Sequence, residues 1–99
     1  MFQKLSGILR IFTLPENVDI IITDMEGDEN LISRFSKDNT IELRNDYEEK
    51  LTLTIKSAEL ATNQGKTYLA FVLTEKVNQQ AIKAFDQIWV YISKQSKQL

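Results

Sequence analysis

Cysteine and histidine are both absent from the 99-residue chain. Without cysteine there is no disulfide scaffold and no thiolate metal site; a small secreted domain would usually want such staples, so the sequence points to the cytoplasm. The same two absences remove the side chains most readily poised for proton transfer or nucleophilic attack near neutral pH. One proline and three glycines keep the chain away from disordered and fibrous compositions. Uninterrupted apolar runs such as Ile20-Ile21-Ile22 and Leu69-Ala70-Phe71-Val72-Leu73 are far too short to span a bilayer. The N-terminal stretch is broken by Arg10 and has no small-residue cleavage pattern, so no signal peptide is expected.

What is present suits one α+β domain over residues 1–99. Hydrophobic residues make up 42% and charged residues 26%, enough for a core without covalent staples. A formal charge of −2 gives nucleic acid or anionic lipid no general reason to approach. Between Glu16 and Glu29 there are six acidic residues and no basic one, a distribution that fits acidic turns between strands.

The first two-thirds reads as short β segments. Met1 to Leu14 is ambiguous: Phe2, Leu5, Leu9 and Phe12 fit a helical stripe, whereas Ile8, Arg10, Phe12 and Leu14 fit a strand. Gly7 and the β-branched Ile8 and Ile11 tilt the expectation to strand, and Pro15-Glu16-Asn17 breaks what precedes it. Val18 to Met25 is a β-branched strand running into the Glu26-Gly27-Asp28-Glu29 turn. Weaker strands are expected over Leu31 to Ser36 and Thr40 to Arg44, separated by Lys37-Asp38-Asn39. Lys50-Leu51-Thr52-Leu53-Thr54-Ile55-Lys56 alternates polar and apolar residues, as a strand with one wet face must. The alternation slips near Ser57-Ala58, where a bulge is expected. After a turn over Ala61 to Lys66, Tyr68 to Leu73 is apolar on both faces, which suits a central strand.

The chain's last quarter, Glu75 to Ser93, is expected to be a long helix. Val77, Ala81, Phe85, Ile88 and Ile92 recur at helical spacing, with Ile82 and Trp89 widening the stripe on one side and Ala84 and Tyr91 on the other. Trp89, Val90 and Tyr91 are consecutive, so in a helix they cannot all face one sheet. Val90 would project among Lys83, Asp86 and Lys94, and an exposed aliphatic beside an aromatic is a common interface element. Ile82, Trp89, Val90 and Tyr91 are therefore the expected partner-binding residues. A competing expectation makes Gln87 to Ile92 a strand that follows a shorter helix ending near Phe85.

Other motifs carry little chemistry. Asp24 to Glu29 has alternating carboxylates, but its glycine stands fourth instead of sixth and Phe35 occupies the twelfth position that a calcium loop gives to glutamate. Gly65-Lys66-Thr67 lacks the earlier glycine of a phosphate loop, having Leu60 there, and leads into a strand. Glu48-Glu49 and Asp28-Glu29 are adjacent pairs that point to opposite faces in extended chain. Lys50, Thr52, Thr54 and Lys56 form a polar, mildly basic face with no aromatic among them, which is thin support for nucleic-acid binding. No catalytic residue, metal site or cofactor is expected.

The expected architecture is an antiparallel meander of five to six strands, an open sheet or a partly closed barrel, packed by one C-terminal helix. A β meander closed by a helix carrying Trp89 resembles the pleckstrin-homology-like arrangement in architecture. The strand count is one short of that family's seven, and the acidic Pro15-Glu16-Asn17 stands where a basic β1-β2 loop would bind a phosphoinositide. An N-terminal helix in place of the first strand is the other alternative. The expected function is a non-enzymatic protein-binding module, such as a small adaptor, inhibitor or immunity-type protein. It would act through the C-terminal helix and adjoining sheet edge, on a protein partner or a second copy. A nucleic-acid- or small-ligand-binding β-roll is the alternative.

Overall fold

The computed structural model describes residues 2–16, 18–35, 39–74, 76–77 and 79–91. Six strands and two single-turn helices follow one another as β1 (Phe2–Thr13), β2 (Asp19–Glu26), α1 (Glu29–Ile32), β3 (Thr40–Arg44), β4 (Lys50–Asn63), β5 (Lys66–Leu73), α2 (Gln79–Ile82) and β6 (Gln87–Tyr91). All pairings are antiparallel, and the strand order β1-β2-β5-β4-β3-β6 returns to β1. The ring is not a barrel. It divides into two four-stranded sheets, β4-β3-β6-β1 and β1-β2-β5-β4, which share their two longest strands.

The sharing depends on irregularities in β1 and β4. Through Gly7, β1 pairs with β6; from Ile8 it pairs with β2. Likewise β4 pairs with β3 through Thr54 and with β5 from Ile55 onward. The register slips between Ile8 and Arg10 and between Ile55 and Ser57. An extra residue bends a strand and increases its twist, so one strand can leave one sheet and enter the other.

One core lies between the sheets. Ile41 and Leu43 of β3, Leu53 and Ile55 of β4, Leu69 and Phe71 of β5, Ile21 of β2 and Ile88 and Val90 of β6 all belong to it. Their spacing of two is what a sheet with one inward face requires. Phe35, after α1, meets Phe71 edge-on at 5.2 Å between ring centroids and joins Leu31 and Ile32 against this core.

The strand expected at Thr40 to Arg44 has the same bounds in the structure, and that of Val18 to Met25 is shifted by one residue. Residues 2–13 form a strand, so the alternative N-terminal helix is excluded. The alternating segment from Lys50 extends to Asn63, and the bulge falls beside Ser57. Its turn is tighter than expected: Gln64 and Gly65 both have positive φ, at 54° and 81°, as a two-residue type I′ hairpin demands. Residues 66–73 are central, lying between β2 and β4.

Three expectations are corrected. The strand over Leu31 to Ser36 is replaced by α1, because Asp28 accepts a hydrogen bond from the Leu31 amide at 3.1 Å and caps a helical turn; Ser36, Lys37 and Asp38 lie outside the described residues. The long C-terminal helix is absent: the described part of Glu75 to Ser93 contains only the four-residue α2 and the strand β6, while Glu75, Asn78, Ile92 and Ser93 lie outside it. The competing strand at Gln87 to Ile92 is the one the structure matches, over residues 87–91. Without that helix the pleckstrin-homology-like roll is not formed, and a simple meander is not formed either. β2 is followed in the sheet by β5, and β6 inserts between β1 and β3.

Candidate interaction surface

Because Ile88 and Val90 point inward, Gln87, Trp89 and Tyr91 must point outward from the same strand. On β3 the inward pair Ile41 and Leu43 leaves Glu42 and Arg44 on the outer face. The register then sets Glu42 opposite Trp89, Arg44 opposite Gln87, Lys4 opposite Trp89 and Phe2 opposite Tyr91. Seven side chains from three strands distant in sequence share this face.

Arg44 holds the group together. Its guanidinium carbon stands 4.0 Å from the Trp89 ring centroid and 5.8 Å from that of Phe2, and its Nε donates to Glu42 Oε1 at 2.6 Å. The positive charge thus lies over an aromatic face while a carboxylate only 8% exposed balances it. Phe2 and Tyr91 meet edge-on at 5.5 Å. Trp89 Nε1 donates to Gln87 Oε1, and Gln87 Nε2 donates to Asp46 Oδ1, each at 3.1 Å. These contacts fix the indole while leaving it only half-buried.

The loop between β3 and β4 borders the cluster. Asn45 organises it, accepting from the amides of Tyr47 and Glu49 and donating to Ala84 O and Glu49 Oε1. An open depression of about 510 Å³ lies against Arg44, Asn45, Asp46, Lys50, Gln87 and Trp89. Tyr91 is 54% exposed, and Tyr47, on the loop, is 84% exposed.

Two of the four expected partner-binding residues lie on this face and two do not. Trp89 and Tyr91 are outward. Val90, expected to project into solvent from a helix, is 5% exposed and sits opposite Ile41, and Ile82 is fully buried; both are core residues in this fold. Arg44, Glu42 and Phe2 were not foreseen as site residues. Their only local signal is the Glu42/Arg44 alternation on β3, since nothing in sequence announces that β6 would lie between β3 and β1.

The acidic segment serves the fold. Asp24 Oδ1 accepts from the Gly7 amide at 3.0 Å, Asp28 caps α1, and Glu26 faces Lys66 at 3.9 Å. Among the described residues no three Asp or Glu side chains converge as a metal-binding set, and no helix is long and apolar enough to cross a membrane. Comparison with family models, curated proteins and solved structures finds no match for this chain.

Proposed function

We propose that this is a non-enzymatic protein-binding module that engages its partner through the outer face of the β4-β3-β6-β1 sheet, with Trp89, Tyr91, Phe2 and Arg44 as the contact residues. The carrying observation is the stack of Arg44 on Trp89 at 4.0 Å, beside the exposed ring of Tyr91. Tryptophan, tyrosine and arginine are the residues that most often dominate the energy of protein interfaces. Here they are already ordered by one another, so docking would cost little side-chain entropy. The face is the element in play for Trp89, Tyr91 and Arg44, because β6 and β3, which carry them, are each paired with a strand on either side.

The test is quantitative capture from extract on immobilised wild type and on Tyr91→Ala and Arg44→Ala chains, each first shown to be folded. A protein retained by wild type and reduced about tenfold or more on both variants supports the proposal. Equal recovery on all three columns contradicts it.

The same face favours one second reading, a nucleic-acid-binding β-roll. Phe2, Trp89 and Tyr91 with Lys4, Arg44 and Lys50 present aromatic rings among basic residues, the ingredients of a single-strand stacking platform. Glu42, Asp46, Glu48 and Glu49 lie beside them and oppose a polyanion. Salt-sensitive quenching of Trp89, the sole tryptophan, by single-stranded oligonucleotides would favour this reading; no quenching at low salt would dismiss it.

A further inference from the structure

The other sheet has an outer face of different character. Arg10, Ile22, Ala70 and Glu59 are aligned in one row across β1, β2, β5 and β4. The next row is Phe12, Ile20, Val72 and Ser57. Ile21 and Phe71, between these rows, are fully buried in the core, so both rows point away from it. The row ends Arg10 and Glu59 are exposed, Phe12, Ile20, Ile22, Val72 and Ser57 are half-buried, and the small Ala70 among them is 3% exposed. Arg10 and Glu59 stand about 14 Å apart, three strand spacings, too far to pair within one chain.

We propose that this face is the contact between two copies of the chain, related by a two-fold axis that lies between them and runs along the strands. Such a rotation reverses the cross-strand order and keeps the position along each strand. β1 of one copy then covers β4 of the other, and β2 covers β5. Arg10 meets Glu59 of the second copy, and the contact occurs twice. Phe12 falls over Ser57, Ile22 over Ala70 and Ile20 over Val72, apolar side chains meeting across sheets about 10 Å apart. A two-fold running across the strands would instead stack β1 on β1, set Arg10 against Phe12 and Glu59 against Ser57, and leave both charges unpaired. The pairing of Arg10 with Glu59 selects the first axis.

Four strands at about 4.8 Å spacing and about 20 Å of strand length give a footprint of roughly 400 Å² per copy. That is small for a specific interface, so the expected dissociation constant is on the order of micromolar. The proposal is independent of the β4-β3-β6-β1 face.

Sedimentation of the full chain across concentrations from about 1 to several hundred micromolar tests it. Wild type should pass from 11.5 kDa to twice that mass. Arg10→Glu or Glu59→Arg alone sets like charges together twice per dimer and should weaken association at least about tenfold. The double charge reversal should restore it. Both residues are exposed, so each variant should retain the wild-type melting transition. A chain that stays monomeric throughout, that associates beyond a dimer, or whose dimer ignores the charge reversals would overturn the proposal.

Discussion

Val77 donates its backbone N–H to Oδ2 of Asp19 at 2.6 Å, tying the connection between β5 and α2 to a strand 58 residues earlier. Oδ1 of the same carboxylate accepts from Thr13 Oγ1 at 2.5 Å, and Asp19 is completely buried. Both oxygens of a buried carboxylate are thus met by neutral donors. Asp19→Ala removes the acceptor of the Val77 N–H in a buried site, which should cost about 2 kcal/mol. Urea unfolding followed by Trp89 fluorescence will show a lowered midpoint with unchanged slope. An unchanged midpoint would mean that this latch contributes nothing.

Arg44 should matter to stability as well as to binding. Arg44→Ala removes the stack on Trp89 and leaves Glu42, 8% exposed, without its cation. The expected loss is about 2 kcal/mol. Arg44→Lys keeps the charge but not the flat guanidinium, and should fall between wild type and alanine. A shift in Trp89 emission should accompany both changes. Thermal melts in which lysine and alanine behave alike would assign the whole effect to the planar stack.

Val90→Asp separates a core residue from a contact residue. It buries a carboxylate opposite Ile41, and an unpaired charge there should cost more than about 3 kcal/mol, enough to unfold much of the population. Tyr91→Ala, one residue on and 54% exposed, should change stability by less than about 0.5 kcal/mol. Circular dichroism at 25 °C distinguishes the two outcomes directly.

The sequence leaves Gln87 to Tyr91 open between helix and strand for a specific reason. A strand of this kind is recognised by polar residues alternating with apolar ones, as Lys50 to Lys56 was. On β6 the outward positions are Trp89 and Tyr91, which are apolar because they build the Arg44 cluster. The polar–apolar alternation is therefore weak there, and the chance spacing of Val77, Ala81, Phe85 and Ile88 supplies a competing helical pattern. α1 was missed for a different reason. Asp28 followed by Glu29 and by Leu31, Ile32 and Phe35 is a capped helical turn, but its acidic residues were also consistent with a hairpin turn. Sheet order was beyond sequence reasoning: hairpins join neighbours in the chain, whereas the β1–β6 and β3–β6 pairings exist only once the ring closes. Two of the five cluster residues are legible in the sequence, because Trp89 and Tyr91 are conspicuous wherever they fall. Phe2, Glu42 and Arg44 acquire their role from that closure.

The hairpin between β4 and β5 offers a stabilising change. Gln64 holds φ at 54° beside Gly65, a conformation that asparagine tolerates better than glutamine. Gln64→Asn should raise stability by about 0.5 kcal/mol. A lowered midpoint in urea would show that the glutamine side chain contributes a contact that outweighs the backbone term.

β6 lies between β1 and β3, and that placement alone brings Phe2, Arg44, Trp89 and Tyr91 together. Amide-resolved nuclear Overhauser spectra of the labelled chain test it most directly. Val90 should show cross-strand contacts to both Gln3 and Ile41, the residues paired with it on either side. Strong successive amide–amide contacts from Gln87 to Tyr91, with none to β1 or β3, would indicate a helix and contradict the ring and the surface built on it.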